Sequence, residues 1–277
     1  MPRGSHGTTL IQPGIFVADS VTSLGPEVAG NVVIAGSHCG VYAAYLAARA
    51  KVRAVILNDA GIGLDQAGIA GLAYLERIGI PAAAISHDSA RIGDGADTAA
   101  RGVLAHINLA AQTLGCAAGQ TALDAALRLQ KEARATAVDL PEVIEGRHPI
   151  DVAGRIEVVG LDSASLIEDC DERRIVITAS HGALLGGDPN SALRVSARAV
   201  FFNDAGIGRD HAGISRLPEL DRRRVIAATV SHWTARIGDS RSSWQTGVLS
   251  HLNQAAQRAG AKPGMRLSEF IRSMAGS

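Results

Sequence analysis

The segment Asn58-Asp59-Ala60-Gly61-Ile62-Gly63-Leu64-Asp65-Gln66-Ala67-Gly68-Ile69 occurs twice in this chain, returning at residues 203–214 with changes only at Leu64/Arg209 and Gln66/His211. At the same offset Ser86-His87-x-x-Ala90-Arg91-Ile92-Gly93-Asp94 recurs from Ser231-His232 to Arg236 and Asp239, and Gly102-Val103-Leu104-x-His106 recurs as Gly247-Val248-Leu249-x-His251. With the offset shortened by two, Ser37-His38 matches Ser180-His181 and, more faintly, Asp19-Ser20 matches Asp162-Ser163. Motifs repeated in one order and at nearly one spacing mark a tandem duplication, so the chain must solve one packing problem twice. The expected division is a first repeat at 8–135, a linker at 136–152 holding Pro141 and Pro149, and a second repeat at 153–277.

Within one repeat, short apolar runs at 14–18, 31–35, 53–57 and 81–85 read as strands buried on both faces. Helices are expected at 41–50 and 66–78. A longer one is expected from an Asp97 N-cap to Leu114, stopped by Gly115. That long helix would carry His106 and His251 on its inward stripe as core histidines. Strands alternating with helices predict an α/β fold, with mostly parallel sheets in Rossmann-like three-layer halves related by a pseudo-two-fold axis. Apolar residues make up 47% of the chain and aromatics only 3%, so the core must come from Ala, Val, Ile and Leu. Such small side chains suit close helix–sheet packing and suggest a homo-oligomer.

Every repeated polar motif falls at the carboxyl end of a strand, where open parallel sheets bind ligands. The alternative is plain turn chemistry, because Asn, Asp, Ser and Gly also close turns. On the functional reading, His87, His232, His38 and His181 are candidates for proton transfer, since imidazole titrates near neutrality. Asp59 and Asp204 would orient a histidine or cap a helix. Ser37, Ser180 and Cys39 are candidate nucleophiles, with Cys39 at a strand-to-helix elbow whose second-copy counterpart is Gly182. Arg91 and Arg236 could hold an anion by a planar fork, or pair with Asp94 and Asp239 three residues on. Asp19, Ser20, Asn58, Ser86, Asp94, Asn203, Ser231, Asp239 and the copy-two residues Arg209 and His211 complete the expected substrate-binding set.

Lys+Arg and Asp+Glu both total 27, which gives no electrostatic footprint for nucleic acid or an anionic membrane. No apolar run has membrane-span length and no signal peptide opens the chain, and the three cysteines show neither disulfide nor metal spacing. A cytoplasmic protein is the expectation. Residues 2–6 resemble a protease-site scar. No cofactor is expected: the glycine spacing after Asn58 is not the dinucleotide fingerprint, and no lysine lies in a repeated motif. A divalent metal held by His38, Asp59, His87 or Asp94 is chemically admissible.

In architecture alone, duplicated α/β halves around a shared site resemble the aspartate/glutamate racemase-like enzymes. Those carry a catalytic cysteine in each half; this chain has no such pair, and no residue roles carry over. The functional expectation is hydrolysis of an amide, lactam or ester in a small anionic metabolite, with oxyanion stabilisation by backbone N–H groups at the glycine turns. The alternatives are a cofactor-free isomerase, racemase or lyase using acid–base groups from both repeats, and a non-catalytic small-ligand-binding protein. Arginines locked to their own aspartates would weigh towards a binding or structural role.

Overall fold

A computed structural model of the chain describes residues 7–133, 140–152 and 156–275; the scar-like residues 2–6 and part of the expected linker lie outside them. The first half runs β1 (Thr9–Gln12), β2 (Ile15–Ala18), β3 (Val32–His38), α1 (Val41–Arg49), β4 (Ala54–Asn58), α2 (Gly71–Arg77), β5 (Ala82–Ile85), α3 (Gly95–Arg101), β6 (Leu104–Ile107), α4 (Leu109–Thr113) and α5 (Ala122–Glu132). The second runs β7 (Arg147–Ile150), β8 (Val158–Leu161), β9 (Ile175–His181), β10 (Ala199–Asn203), α6 (Arg216–Arg222), β11 (Ile226–Val230), α7 (Ser240–Thr246), β12 (Leu249–Leu252), α8 (Gln254–Arg258) and α9 (Leu267–Ala275).

Each half is a six-stranded sheet in sequential order, β1 to β6 and β7 to β12. The four inner strands are parallel and the two edge strands antiparallel. Alternate residues of the inner strands face opposite layers, as a period of two requires. Val33, Val55 and Ala84 pack under α1 and α2, while Ile34, Ile56 and Ala83 pack under Ala122, Ala125 and Leu129 of α5. This is the expected three-layer α/β half, built twice. Strand β7 falls inside the span read as linker and forms an edge of the second sheet.

The expected helix from Asp97 to Leu114 is instead helix, strand, helix. Gly102 leaves the helical conformation, and a Cβ there would stand 2.4 Å from the Thr98 carbonyl. Leu104–Ile107 then pairs with β5, and Asn108 caps the next helix through the Ala111 amide. The N-cap is Asp94, not Asp97. The positions 103, 106 and 110 fit a helical stripe, but they do not reveal the strand that the β-branched Val103 and Ile107 favour.

The halves also differ. Where the first has α1, the second has a loop with one 3-10 turn at Pro189–Ala192. No helix of the described residues is long and apolar enough to cross a membrane.

Candidate functional site

A sheet with sequential strand order has no strand-order reversal, so neither half offers the crevice where doubly wound folds bind ligands. The strand ends of one half instead meet those of the other. The Leu64 amide donates to the His232 carbonyl at 2.7 Å, and the Arg209 amide donates to the His87 carbonyl at 2.8 Å. A Cβ on Gly61 would lie 2.8 Å from the Gly206 Cα, and one on Gly206 would lie 2.9 Å from the Gly61 Cα. These reciprocal pairs place the repeated Asn-Asp-Ala-Gly turns on the pseudo-two-fold axis. Ala60, Ile92, Ala183, Ala205, Ala212 and Ile237 form a small apolar cluster drawn from both halves. Cross-half ion pairs, Arg101 to Asp210 at 3.0 Å and Arg236 to Asp65 at 2.8 Å, flank it.

Two aspartate–histidine dyads stand on this seam. His87 Nδ1 lies 2.8 Å from Asp59 Oδ1, which also accepts the amides of His87 and Gly61. His232 Nδ1 lies 2.7 Å from Asp204 Oδ1, which accepts the amides of His232 and Gly206. With Nδ1–H donated to the carboxylate, each ring turns a basic Nε2 away from it. The His87 ring reaches the other half, because a Cβ on Gly206 would lie 3.0 Å from its Nε2. The bond to Asp59 raises the His87 pKa above the ordinary imidazole value, against burial. Burial pushes the Asp204 carboxyl up, but hydrogen bonds from His232 and Ser250 outweigh it and hold the group below its usual range.

The turns between Asp and His are strained in both copies. Ile62 and Ile207 each sit at φ 64°, a left-handed conformation that a β-branched residue avoids. Ala60 and Ala205 are left-handed too, at 48° and 49°. Strain of this kind persists where surrounding contacts over-determine the backbone, and it gathers at functional sites.

His38 and His181 form a second pair. His38 Nδ1 accepts the Gly40 amide and His181 Nδ1 accepts the Ala183 amide, which leaves the proton on each Nε2. Burial pushes His38 down to about 4; burial, then the charge of Arg216, then His38 itself push His181 well below its ordinary value. Both are therefore neutral donors. The folded chain binds fewer protons here than the unfolded chain. The stability they confer is present above about pH 6.5 and is lost as pH falls through the folded value. We expect the thermal midpoint to fall between pH 6.5 and 4, and to fall less steeply in the double variant His38→Gln/His181→Gln. Parallel pH profiles would show that these imidazoles are not the acid-labile groups.

The remaining expected site residues hold turns. Ser37 and Ser180 accept the Val21 and Ala164 amides, and neither hydroxyl is hydrogen-bonded to a histidine. Asp19 Oδ1 accepts the Gly95 amide at the start of α3, and Asp162 does the same for Ser240 at the start of α7. Ser20, Ser86 and Ser231 accept amides two residues on, as do Asn58 and Asn203. Asp94 and Asp239 cap α3 and α7. Arg209 and His211 are exposed.

Two expectations are corrected, and one open choice is decided. Cys39 has no exposed surface, and burial, followed by the charge of Asp59, raises its thiol to about 12, so no thiolate forms at the elbow. Arg91 is paired with Asp94 at 3.0 Å and Arg236 with Asp239 at 3.1 Å, the pairing given as the alternative to an anion fork. The amides of Ala60, Gly61, Ile62 and Gly63 all donate within their own turn, so they do not make an oxyanion hole. A thiol reagent should label exposed Cys170 in the native protein, while Cys39 and Cys116 react only on unfolding. Native labelling of Cys39 at the Cys170 rate would restore it as a nucleophile.

Sequence reasoning missed three residues. His106 lies on β6, with Nε2 3.9 Å from Asp59 Oδ2, so the Asp59 carboxylate has an imidazole near each oxygen. His251, its counterpart on β12, has a buried Nδ1 without a hydrogen-bond partner among the described residues. The helical spacing predicts core positions for both, whereas pairing makes β6 and β12 strands. The third, Arg216, aligns with Gly71 and was not singled out.

Among the described residues no three His, Cys, Asp or Glu side chains converge as metal ligands. Two cavities, of about 580 Å³ beside Tyr42, Leu46 and Ser165 and about 380 Å³ beside His148 and Trp244, are not lined by the dyads. Comparison with protein-family models, with curated proteins and with solved structures finds no match to this chain.

Proposed function

We propose that this chain is an enzyme that moves a proton on a small organic acid, an isomerase, racemase or lyase, using acid–base groups from both halves. The observation that carries this reading is the Asp–His dyad built once in each half and facing across the pseudo-two-fold axis. Removing a proton at one face and returning it at another needs a base and an acid held apart, and a duplicated dyad supplies both. The ion pairs of Arg91 and Arg236 make those two arginines structural, and the reading does not depend on them.

Hydrolysis of an amide, lactam or ester is the second reading. It is favoured by the polarity of the dyad, with Nδ1 on the carboxylate and Nε2 outward, which also suits activation of a water. It lacks support from a nucleophile or from turn amides, for the reasons given above.

The test is incubation in D2O with a panel of small 2-hydroxy, 2-amino and unsaturated carboxylates, followed by proton NMR. Enzyme-dependent loss of a C–H signal beside the carboxylate is the expected result. Cleavage of amide or ester substrates without deuterium incorporation would move the assignment to a hydrolase. Neither change in any substrate would defeat the acid–base reading.

A further inference from the structure

In the first half Gly71 begins α2, and a Cβ there would meet the carbonyls of Cys39 and Gly40 at 2.7 Å and the Ala44 Cβ at 2.8 Å. Helix α1 therefore lies directly against it. The second half has Arg216 at this position and no counterpart of α1. The Arg216 side chain enters the region that α1 would fill, and the residue is only 5% exposed. Its Nε donates to the Ala183 carbonyl at 2.8 Å, its Nη1 donates to the Ala192 carbonyl at 2.7 Å, and its Cζ stands 5.0 Å over the Phe202 ring.

No carboxylate of the described residues pairs with it. A buried cation met only by neutral acceptors keeps a large desolvation cost. Among the described residues Nη2 has no hydrogen-bond partner. The same holds for Nε2 of His181. The two groups flank one peptide: Ala183 gives its amide to His181 and its carbonyl to Arg216. From the first half, Gly93 closes over this point, where a Cβ would lie 3.2 Å from His181 Cε1 and 2.8 Å from the Leu184 carbonyl.

We infer that Arg216 Nη2 and His181 Nε2 bind the carboxylate of a small organic acid. The inference names the anchor for the substrate class proposed above and rests on that reading only for what happens to the acid once bound. The charge count selects a monoanion. Arg216 is the cation beside His181, and burial keeps the imidazoles there neutral. A phosphate dianion would leave a buried charge uncompensated, whereas a carboxylate cancels the guanidinium and takes a second hydrogen bond from the imidazole.

The experiment is titration of the whole protein with sodium acetate and sodium propionate, followed by calorimetry and thermal shift, with sodium chloride and inorganic phosphate at matched ionic strength as controls. Saturable binding of acetate and propionate is expected, with propionate at least as tight and phosphate weaker. Arg216→Gln should weaken it at least tenfold. Arg236→Gln, which breaks an ion pair outside the site, should leave it unchanged. If Arg216→Gln does not fold, the 15N shift of His181 in the wild type carries the test; it should move saturably with acetate while that of His148 does not. No response beyond chloride, equal affinity in Arg216→Gln, tighter phosphate binding, or a static His181 signal would each overturn the assignment. Carboxylate binding without deuterium exchange would support this anchor while defeating the acid–base reading.

Discussion

Replacing His87 by alanine should lower turnover of the proton-transfer substrate by a factor of about 10²–10⁴, the usual worth of a positioned general acid or base, while leaving the fold intact. The fold survives because Asp59 Oδ1 keeps the amides of residue 87 and Gly61, which do not depend on the imidazole. His232→Ala should cost as much, since its ring stands in the same relation to Asp204. The pH profile carries a further signature. The Asp59 bond raises the His87 pKa, so that group's contribution to stability is complete below about pH 6.5 and fades as pH rises through the raised value. Asp59→Asn should therefore shift the limb of the rate profile that His87 sets towards lower pH, as well as reduce the rate. An alanine variant at His87 with wild-type turnover would remove it from the reaction.

The second large effect concerns the seam. Gly61→Val should destabilise the protein by about 1–3 kcal/mol from overpacking, with about 1–2 kcal/mol more for a Cβ in the left-handed conformation. Gly61 lies at φ 73°, and its new Cβ would meet the Gly206 Cα at 2.8 Å and His232 Cδ2 at 3.0 Å. Neither neighbour can move without parting the two halves. On a chain of this size, the loss corresponds to a fall in midpoint on the order of 10 °C. Gly79→Ala separates the two causes. That glycine is also left-handed, at 71°, but nothing lies within 4 Å of its Cβ position. It should show the backbone cost alone. Equal losses in the two variants would mean that the halves do not meet as tightly as Gly61 and Gly206 indicate.

Much of this was legible in the sequence because a duplication compares the chain with itself. Residues that recur at strand ends, such as Asp59/Asp204 and His87/His232, stood out from polar neighbours, and the short apolar runs marked the inner strands to within a few residues. Two kinds of feature stayed hidden. Partner choice was one: Arg91 takes Asp94 and Asp97 of its own half, whereas Arg236 takes both Asp239 and Asp65 of the other half, and spacing alone does not choose between a ligand and a neighbour. Edge structure was the other. His106 was placed on a helix because three positions fitted its period, whereas pairing with β5 made that segment a strand. Arg216 was visible only as a pair of losses, a glycine replaced and a helix missing, and each made sense once the guanidinium was seen where the helix would have packed. Cys39 misled for a related reason: its elbow is real, but burial keeps the thiol protonated.

The most direct test is a proton NMR titration of the histidine Cε1–H signals, with His38, His87 and His181 assigned by substitution. His87 should titrate above the ordinary imidazole value and lose that elevation in Asp59→Asn. His38 should stay neutral until about pH 4, and His181 should stay neutral well below the ordinary value. These three histidines titrating together near pH 6.5, unmoved by Asp59→Asn, would contradict a seam built for acid–base chemistry.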